Sequence, residues 1–296
     1  MMLSSFATEA GPDLPSLGST LGVMFLGETI ALILYGMSNL QTAIYFKEYP
    51  KDWWFYRLSI AVLWVLDTLH IMFTTHSLYF YAIDSFGDYL ELLKLVWSFK
   101  LALFLYNMIV FCVHIIYCVR LWMLGRYFHS AVPWFITVIV AGICAASIAF
   151  CRDVYTISYI IEIDKISLTI EAGLITTATV DIIISFAMTY YLLRARAAST
   201  NLFSTNTRLQ SLMRLVLISG LGTSVLVIAS LVTFLVLHGT LIFLSIGVVV
   251  PKLYINSLLA MFNARKRRRQ EILGSCSLAP TSRVQDDENV RVLRTF

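Results

Sequence analysis

Seven apolar stretches, each long enough to cross a lipid bilayer, constrain this chain more than anything else in its sequence. A spanning helix needs about 20 mostly apolar residues, since each adds about 1.5 Å across a hydrocarbon core of about 30 Å. The stretches run over residues 18–46, 54–80, 95–122, 132–150, 168–193, 211–237 and 240–262. The last two are separated by His238-Gly239-Thr240, a polar residue and a breaker that permit a tight turn. Composition agrees: 58% of the chain is hydrophobic and 14% charged, against roughly 25% charged in soluble domains. A net charge of +4 is too mild for wholesale nucleic-acid binding. The sequence predicts an all-α, polytopic integral membrane protein, a seven-transmembrane-helix bundle in the plasma membrane or an endomembrane.

Aromatic residues mark the span ends. Trp53, Trp54 and Tyr56 open the second span, and Tyr79 and Tyr81 close it. Trp97 and Trp122 bracket the third, Trp134 opens the fourth, and Tyr190 and Tyr191 close the fifth. Indole and phenol rings favour the headgroup level, where one edge is wet and one face apolar. In the fourth span, Ala141, Ala145 and Ala149 form a small-residue stripe suited to close helix approach.

Basic residues set the orientation. With the amino-terminus outside, about fourteen Lys and Arg fall on inner segments against four on outer ones, as the positive-inside rule requires. The first sixteen residues hold Glu9 and Asp13 but no basic n-region, so the first span is expected to stay in the membrane as a signal-anchor. The carboxyl-terminus is then cytoplasmic, with residues 270–296 reading as a disordered polar tail. Arg265, Lys266, Arg267, Arg268 and Arg269 anchor the last span and are suited to anionic inner-leaflet lipid; Cys276 is a palmitoylation candidate. The five cysteines are scattered, without CxxC or metal-ligand spacing.

Ionisable residues at membrane depth carry the functional signal, because each is costly there unless paired or hydrated. Counting at about 1.5 Å per residue puts Asp67, Lys252 and Asp181 near the midplane, roughly 15–18 Å from the inner interface. An unpaired lysine is disfavoured at that depth, so Lys252 is expected to pair with Asp67, or with Asp181 if the helices pack in another order. His70 follows Asp67 on the same helical face, and Asn107 falls at a similar height. Asn39, His114 and Asn256 form a second polar layer, roughly 10 Å up. Pro251 frees a backbone carbonyl and kinks the last helix. Glu28, Glu171, His76 and Lys100 lie nearer the outer surface and complete the lining of an outward-facing cavity.

Three functions compete for this constellation. One is a receptor or sensor, with a ligand in the outer cavity and basic inner loops addressing a cytoplasmic signalling partner. Another is a transporter or channel with an Asp/His/Lys relay, though no repeated half and no matched pair of broken helices is visible. The third is a zinc-dependent lipid hydrolase using His70, His76 and His114. Zinc ligands must converge at about 2 Å, and the estimated depths of His70 and His114 differ by roughly 10 Å; HExxH and HxxxH are absent. A retinal lysine is disfavoured, because Val248 stands one turn before Lys252 and the third span lacks a carboxylate. No DRY or NPxxY is present either. A receptor-like, non-enzymatic bundle without a cofactor fits best.

Leu34-Tyr35-Gly36, QTAIYFKEYPKD (41–52), LDTLH (66–70), WSFK (97–100) and PKLYINSLLAMFNAR (251–265) together resemble a large family of seven-helix membrane proteins typical of mushroom-forming fungi. That family is a domain of unknown function. The resemblance covers residues 18–269 and implies fold and location, with no ligand or catalytic residue to carry over. It places Asp67, His70, Lys252 and Asn256 inside the shared motifs.

Overall fold

The computed structural model describes residues 18–85, 89–125, 131–198, 203–237 and 240–276. In hydrocarbon no water satisfies a backbone amide, so an apolar segment must close its hydrogen bonds internally, and the helix does so. The long helices are α1 (Val23–Glu48), α2 (Trp54–Tyr79), α4 (Trp97–Gly125), α5 (Ala131–Thr156), α6 (Ser167–Ala198), α7 (Phe203–Val236) and α8 (Ile242–Cys276). A four-residue α3 (Tyr89–Leu92) lies between α2 and α4, and a 3-10 segment (Ile160–Ile166) leads into α6. α1 stops at Tyr49, beside Pro50, where the pyrrolidine ring disfavours helical backbone in the preceding residue.

Six of these segments are long and apolar enough to cross a membrane: Thr20–Glu48, Trp54–Asp84, Trp97–Met123, Thr137–Thr156, Glu162–Arg194 and Ile242–Ala264. The chain is a multi-pass integral membrane protein. The seventh expected span corresponds to α7, a helix of 34 residues whose described apolar part, Gly220–Val236, is shorter. The expected turn at His238-Gly239 lies outside the described residues.

The helices pack as a ring in chain order, α1–α2–α4–α5–α6–α7–α8, closed by α1 against α8. α4 also touches α6 and α8, and α2 touches α8. The main core joins Tyr45, Leu63, Ile109, Val113, Tyr191, Leu258 and Phe262 from α1, α2, α4, α6 and α8. The outer surface carries Phe25, Ile33, Met72, Val138, Phe186 and Val225, all exposed, as lipid-facing positions are. Trp53, Trp54, Trp122, Trp134 and Tyr190 are exposed at one end of the bundle, and Tyr79, Trp97 and Tyr155 at the other. The bundle thus has a Trp53 end and a Trp97 end.

Three details differ from the sequence reading. α8 continues past residue 270 to Cys276. Extending a formed helix is cheap, and Arg, Lys, Gln, Glu and Leu favour it. Ala141, Ala145 and Ala149 are exposed, because α5 turns Val140, Ile143 and Val154 inward and its small stripe outward. Asn39 accepts a hydrogen bond from Trp64 Nε1 (2.6 Å) at the exposed α1–α2 edge. It stands apart from His114 and Asn256, because one residue turns a helix by about 100° and the inward position belongs to Ser38.

Candidate functional site

The first polar centre joins α1, α2 and α8. Lys252 Nζ donates to Asp67 Oδ1 at 2.5 Å and to the Asp67 carbonyl at 3.1 Å. Both side chains are fully buried. Ser38 donates to the other carboxylate oxygen at 2.8 Å, and the Tyr35 ring lies 5.6 Å from Nζ. The ammonium and carboxylate thus face each other with further polar support, the condition under which a buried pair offsets its desolvation cost. Pro251 lies within α8, one residue before the lysine.

One turn further along α8, Asn256 donates to the Lys252 carbonyl (2.8 Å) and the Leu34 carbonyl (2.9 Å), and accepts from Gln41 (3.3 Å). Asn263 donates to the Gln41 carbonyl at 2.8 Å, and Tyr49 donates to the Asn263 carbonyl at 3.2 Å. Nearer the Trp97 end, Thr74 and Thr75 donate to Glu28 at 3.1 and 2.6 Å, and Ser245 donates to the Val23 carbonyl at 2.7 Å. Gly27 admits this last approach, because a Cβ there would lie 2.8 Å from the Ser245 carbonyl oxygen. A polar seam therefore runs along α1 and α8.

A second centre joins α4, α6 and α8. His114 Nε2 lies 3.0 Å from Asp181 Oδ1, and the Tyr254 hydroxyl donates to Asp181 Oδ2. A pocket of about 20 Å³ adjoins them, lined also by Tyr117, Ser185, Thr223 and Ser257, with room for one water. Lys252 and Tyr254 are two residues apart, about 200° around α8, so one helix serves both centres from opposite faces.

The structure therefore brings Asp67, Lys252 and Asn256 together and places Asp181 in a separate cluster with His114. Depth counting set His114 and Asp181 in different layers; helix tilt and side-chain reach close that interval. Asn107 donates to the Leu103 carbonyl at 2.9 Å, within its own helix. Ser38, Gln41 and Tyr254 are the participants the sequence reading missed. For α1 a signal existed: Tyr35, Ser38, Thr42, Tyr45 and Tyr49 recur at three- and four-residue spacing, one face of a helix. The side chains of Arg265 to Arg269 lie outside the described residues.

A cavity of about 140 Å³ occupies the Trp97 half of the bundle, between α2, α4, α5, α6, α7 and α8. His70 and Asn107 line it, among mostly apolar neighbours such as Phe99, Phe150, Leu174 and Val248. At that end of the bundle residues 93–96 and 157–160 are tied together as a strap. Leu95 N–H donates to the Ser158 carbonyl (2.9 Å) and Ile160 N–H to the Leu93 carbonyl (2.8 Å). Tyr81 fastens the strap, donating to the Lys94 carbonyl (2.7 Å) and accepting from Val96 N–H (3.1 Å). Lys100 donates to the Ile157 carbonyl at 2.6 Å. Leu95, Ile157 and Ile160 contribute to the cavity wall.

The three histidines weighed as zinc ligands lie in different surroundings. His76 Nδ1 meets Ser98 Oγ at 2.9 Å, His114 meets Asp181, and His70 faces the cavity. Among the described residues no three His, Cys, Asp or Glu side chains converge in a way that could hold an ion.

No curated protein and no solved structure matches the chain. Residues 177–267 match a family of unknown function (DUF6534), so the similarity takes in most of α6, α7 and α8 as far as the basic run, with Asp181, Lys252, Tyr254 and Asn256 inside it.

Proposed function

We infer that the protein is a seven-span, non-enzymatic membrane receptor or sensor, amino-terminus outside and carboxyl-terminus cytoplasmic. A ligand enters the cavity at the Trp97 end and shifts an equilibrium held by Asp67 and Lys252. The observation that carries this reading is continuity between cavity and ion pair. His70, on the cavity wall, lies one turn from Asp67 on α2; Gly247, Val248 and Val250, also on the wall, stand within the five residues before Lys252 on α8. A ligand that moves either wall helix changes the geometry of the pair, and a ligand shifts an equilibrium only through such a difference between states. α7, at 34 residues, has the length of a seventh span, and the resemblance of the α1, α2 and α4 motifs to a fungal seven-helix family supports that count. The excess of basic residues at the Trp53 end supports placing that end in the cytoplasm. There Arg265 to Arg269 contact anionic lipid, and the basic loops receive a signalling partner.

Two measurements test this reading. N-glycosylation acceptors are placed before residue 18 and after residue 276; modification of the first alone supports the orientation, and modification of the second overturns it. Lys252→Ala and Asp67→Ala are then compared with the parent protein. If folding, trafficking and hydrogen exchange at the Trp53 end are all unchanged in both, the pair holds no state.

A further inference from the structure

We propose that the cavity in the Trp97 half of the bundle is a binding site for a small, neutral, largely apolar molecule bearing one hydroxyl group, held by His70 on α2 and Asn107 on α4. This deepens the receptor reading, on which it rests, by naming the chemistry of the ligand.

Size comes first. At about 140 Å³ the cavity is close to an engineered apolar cavity of about 150 Å³ that admits benzene. A single substituted ring or a short branched chain fills such a space. Charge comes next. Among the described lining residues there is no Asp, Glu, Lys or Arg. An ionised ligand would leave water without a counter-charge, at a cost that excludes it. The buried charges beyond the wall are engaged elsewhere, Lys252 by Asp67 and Glu28 by Thr74 and Thr75.

The polar groups then select the functional group. His70 is 2% exposed and lines the cavity, and its Nδ1 is buried without a hydrogen-bond partner. Buried polar atoms are almost always satisfied, so one on a cavity wall points to a ligand. Asn107 uses its amide N–H on the Leu103 carbonyl, which leaves its side-chain oxygen as an acceptor. A neutral imidazole carries one donor and one acceptor, whichever tautomer it adopts. A hydroxyl also carries both, so it pairs with His70 in either tautomer while Asn107 offers a second acceptor. A hydrocarbon satisfies neither residue.

Two glycines provide a way to close the site. Gly173 and Gly247 both line the cavity, and a Cβ added at either meets nothing within 4 Å. Gly247→Leu therefore fills the space without displacing backbone.

The test uses the full-length protein in phosphatidylcholine nanodiscs, with para-fluorobenzyl alcohol, para-fluorotoluene and para-fluorobenzylammonium followed by fluorine NMR. Saturable binding of the alcohol is expected, and none of the ammonium. His70→Phe weakens the alcohol about five- to tenfold, the value of one hydrogen bond, and leaves the hydrocarbon within about twofold. Asn107→Leu acts in the same direction. Gly247→Leu abolishes saturable binding of both neutral probes, so it decides the location even if His70→Phe fails to fold. The proposal is overturned if the alcohol shows no saturable binding, if Gly247→Leu leaves that binding intact, or if the His70 and Asn107 variants weaken alcohol and hydrocarbon alike. Binding to purified protein requires no signalling partner. Its failure removes the ligand class and leaves the orientation to its own test, whereas a reversed orientation removes the receptor reading and leaves this binding unchanged.

Discussion

Asp67 and Lys252 meet at 2.5 Å with neither side chain exposed, joining the second helix to the last across 185 residues of sequence. Removing one partner strands the other in a medium that penalises lone charge. Lys252→Ala and Asp67→Ala should each destabilise the protein by about 3–5 kcal/mol. Asp67→Leu combined with Lys252→Met replaces both charges with apolar groups and should recover most of that loss. Thermal melting in detergent, monitored by circular dichroism, distinguishes the singles from the double. A double as unstable as the singles would assign the pair's value to its hydrogen bonds with Ser38 and the Asp67 carbonyl.

Asp181 supports two partners at once, His114 and Tyr254, all three buried. Tyr254→Phe removes one hydrogen bond and should cost about 1–2 kcal/mol, while Asp181→Ala leaves both partners unpaired and should cost about 2–5 kcal/mol. In a double-mutant cycle over the same two positions, the double variant should lose less stability than the sum of the two singles. Additive effects would mean that tyrosine and aspartate do not interact in the membrane.

Gly27 and Gly36 lie on the same helix with opposite expectations. A Cβ at Gly27 meets the Ser245 backbone, whereas a Cβ at Gly36 meets nothing within 4 Å. Gly27→Ala should destabilise the α1–α8 contact by about 1–3 kcal/mol. Gly36→Ala should be neutral or stabilising by up to about 1 kcal/mol through helix propensity. Denaturant or thermal midpoints of the two variants should move in opposite directions or differ by at least that interval.

One hydroxyl holds the strap by two hydrogen bonds. Tyr81→Phe deletes both the bond to the Lys94 carbonyl and the bond from Val96 N–H. It should raise amide exchange across residues 93–96 and 157–160, with a local loss of about 1–2 kcal/mol. Exchange in α1 and α8 should stay as it was; a global increase would make Tyr81 part of the core rather than a fastening.

Much of this was legible in the chain, and the reasons it stopped where it did are geometric. Long apolar runs located most helix ends within about six residues, because lipid permits one backbone solution; α7 starts at Phe203 and α8 ends at Cys276, well outside their apolar runs, because a polar helical extension leaves no apolar signal. The cost of a lone lysine singled out Asp67 and Asp181 as candidate partners for Lys252, but only packing could choose between them. Depth counting treats helices as straight rods normal to the membrane, so it separated His114 from Asp181. Tyr254 gave no signal because a buried tyrosine and a core aromatic occupy the same positions in a helical pattern. The stripe at Ala141, Ala145 and Ala149 showed what can approach closely, not which face has a neighbour. An outward-facing cavity was expected with Glu28, Glu171, His76 and Lys100 in its lining, whereas the observed one is mostly apolar and is lined by none of the four; which side chains turn inward, like the unpartnered Nδ1 of His70, is a matter of three-dimensional packing.

The ring closes between its first and last helices, and that order has a consequence for biosynthesis. Ribosomes add about 5–20 residues per second. Asp67 therefore enters the bilayer roughly 10–40 s before Lys252 has been made, and the polar stripe of α1 waits longer still for α8. During that interval the Asp67 carboxylate has the Ser38 hydroxyl beside it but not its cationic partner. A lone carboxylate is costly in lipid, so that cost falls on the half-built bundle. The order of synthesis leaves the neutralisation of Asp67 to the last of the described helices.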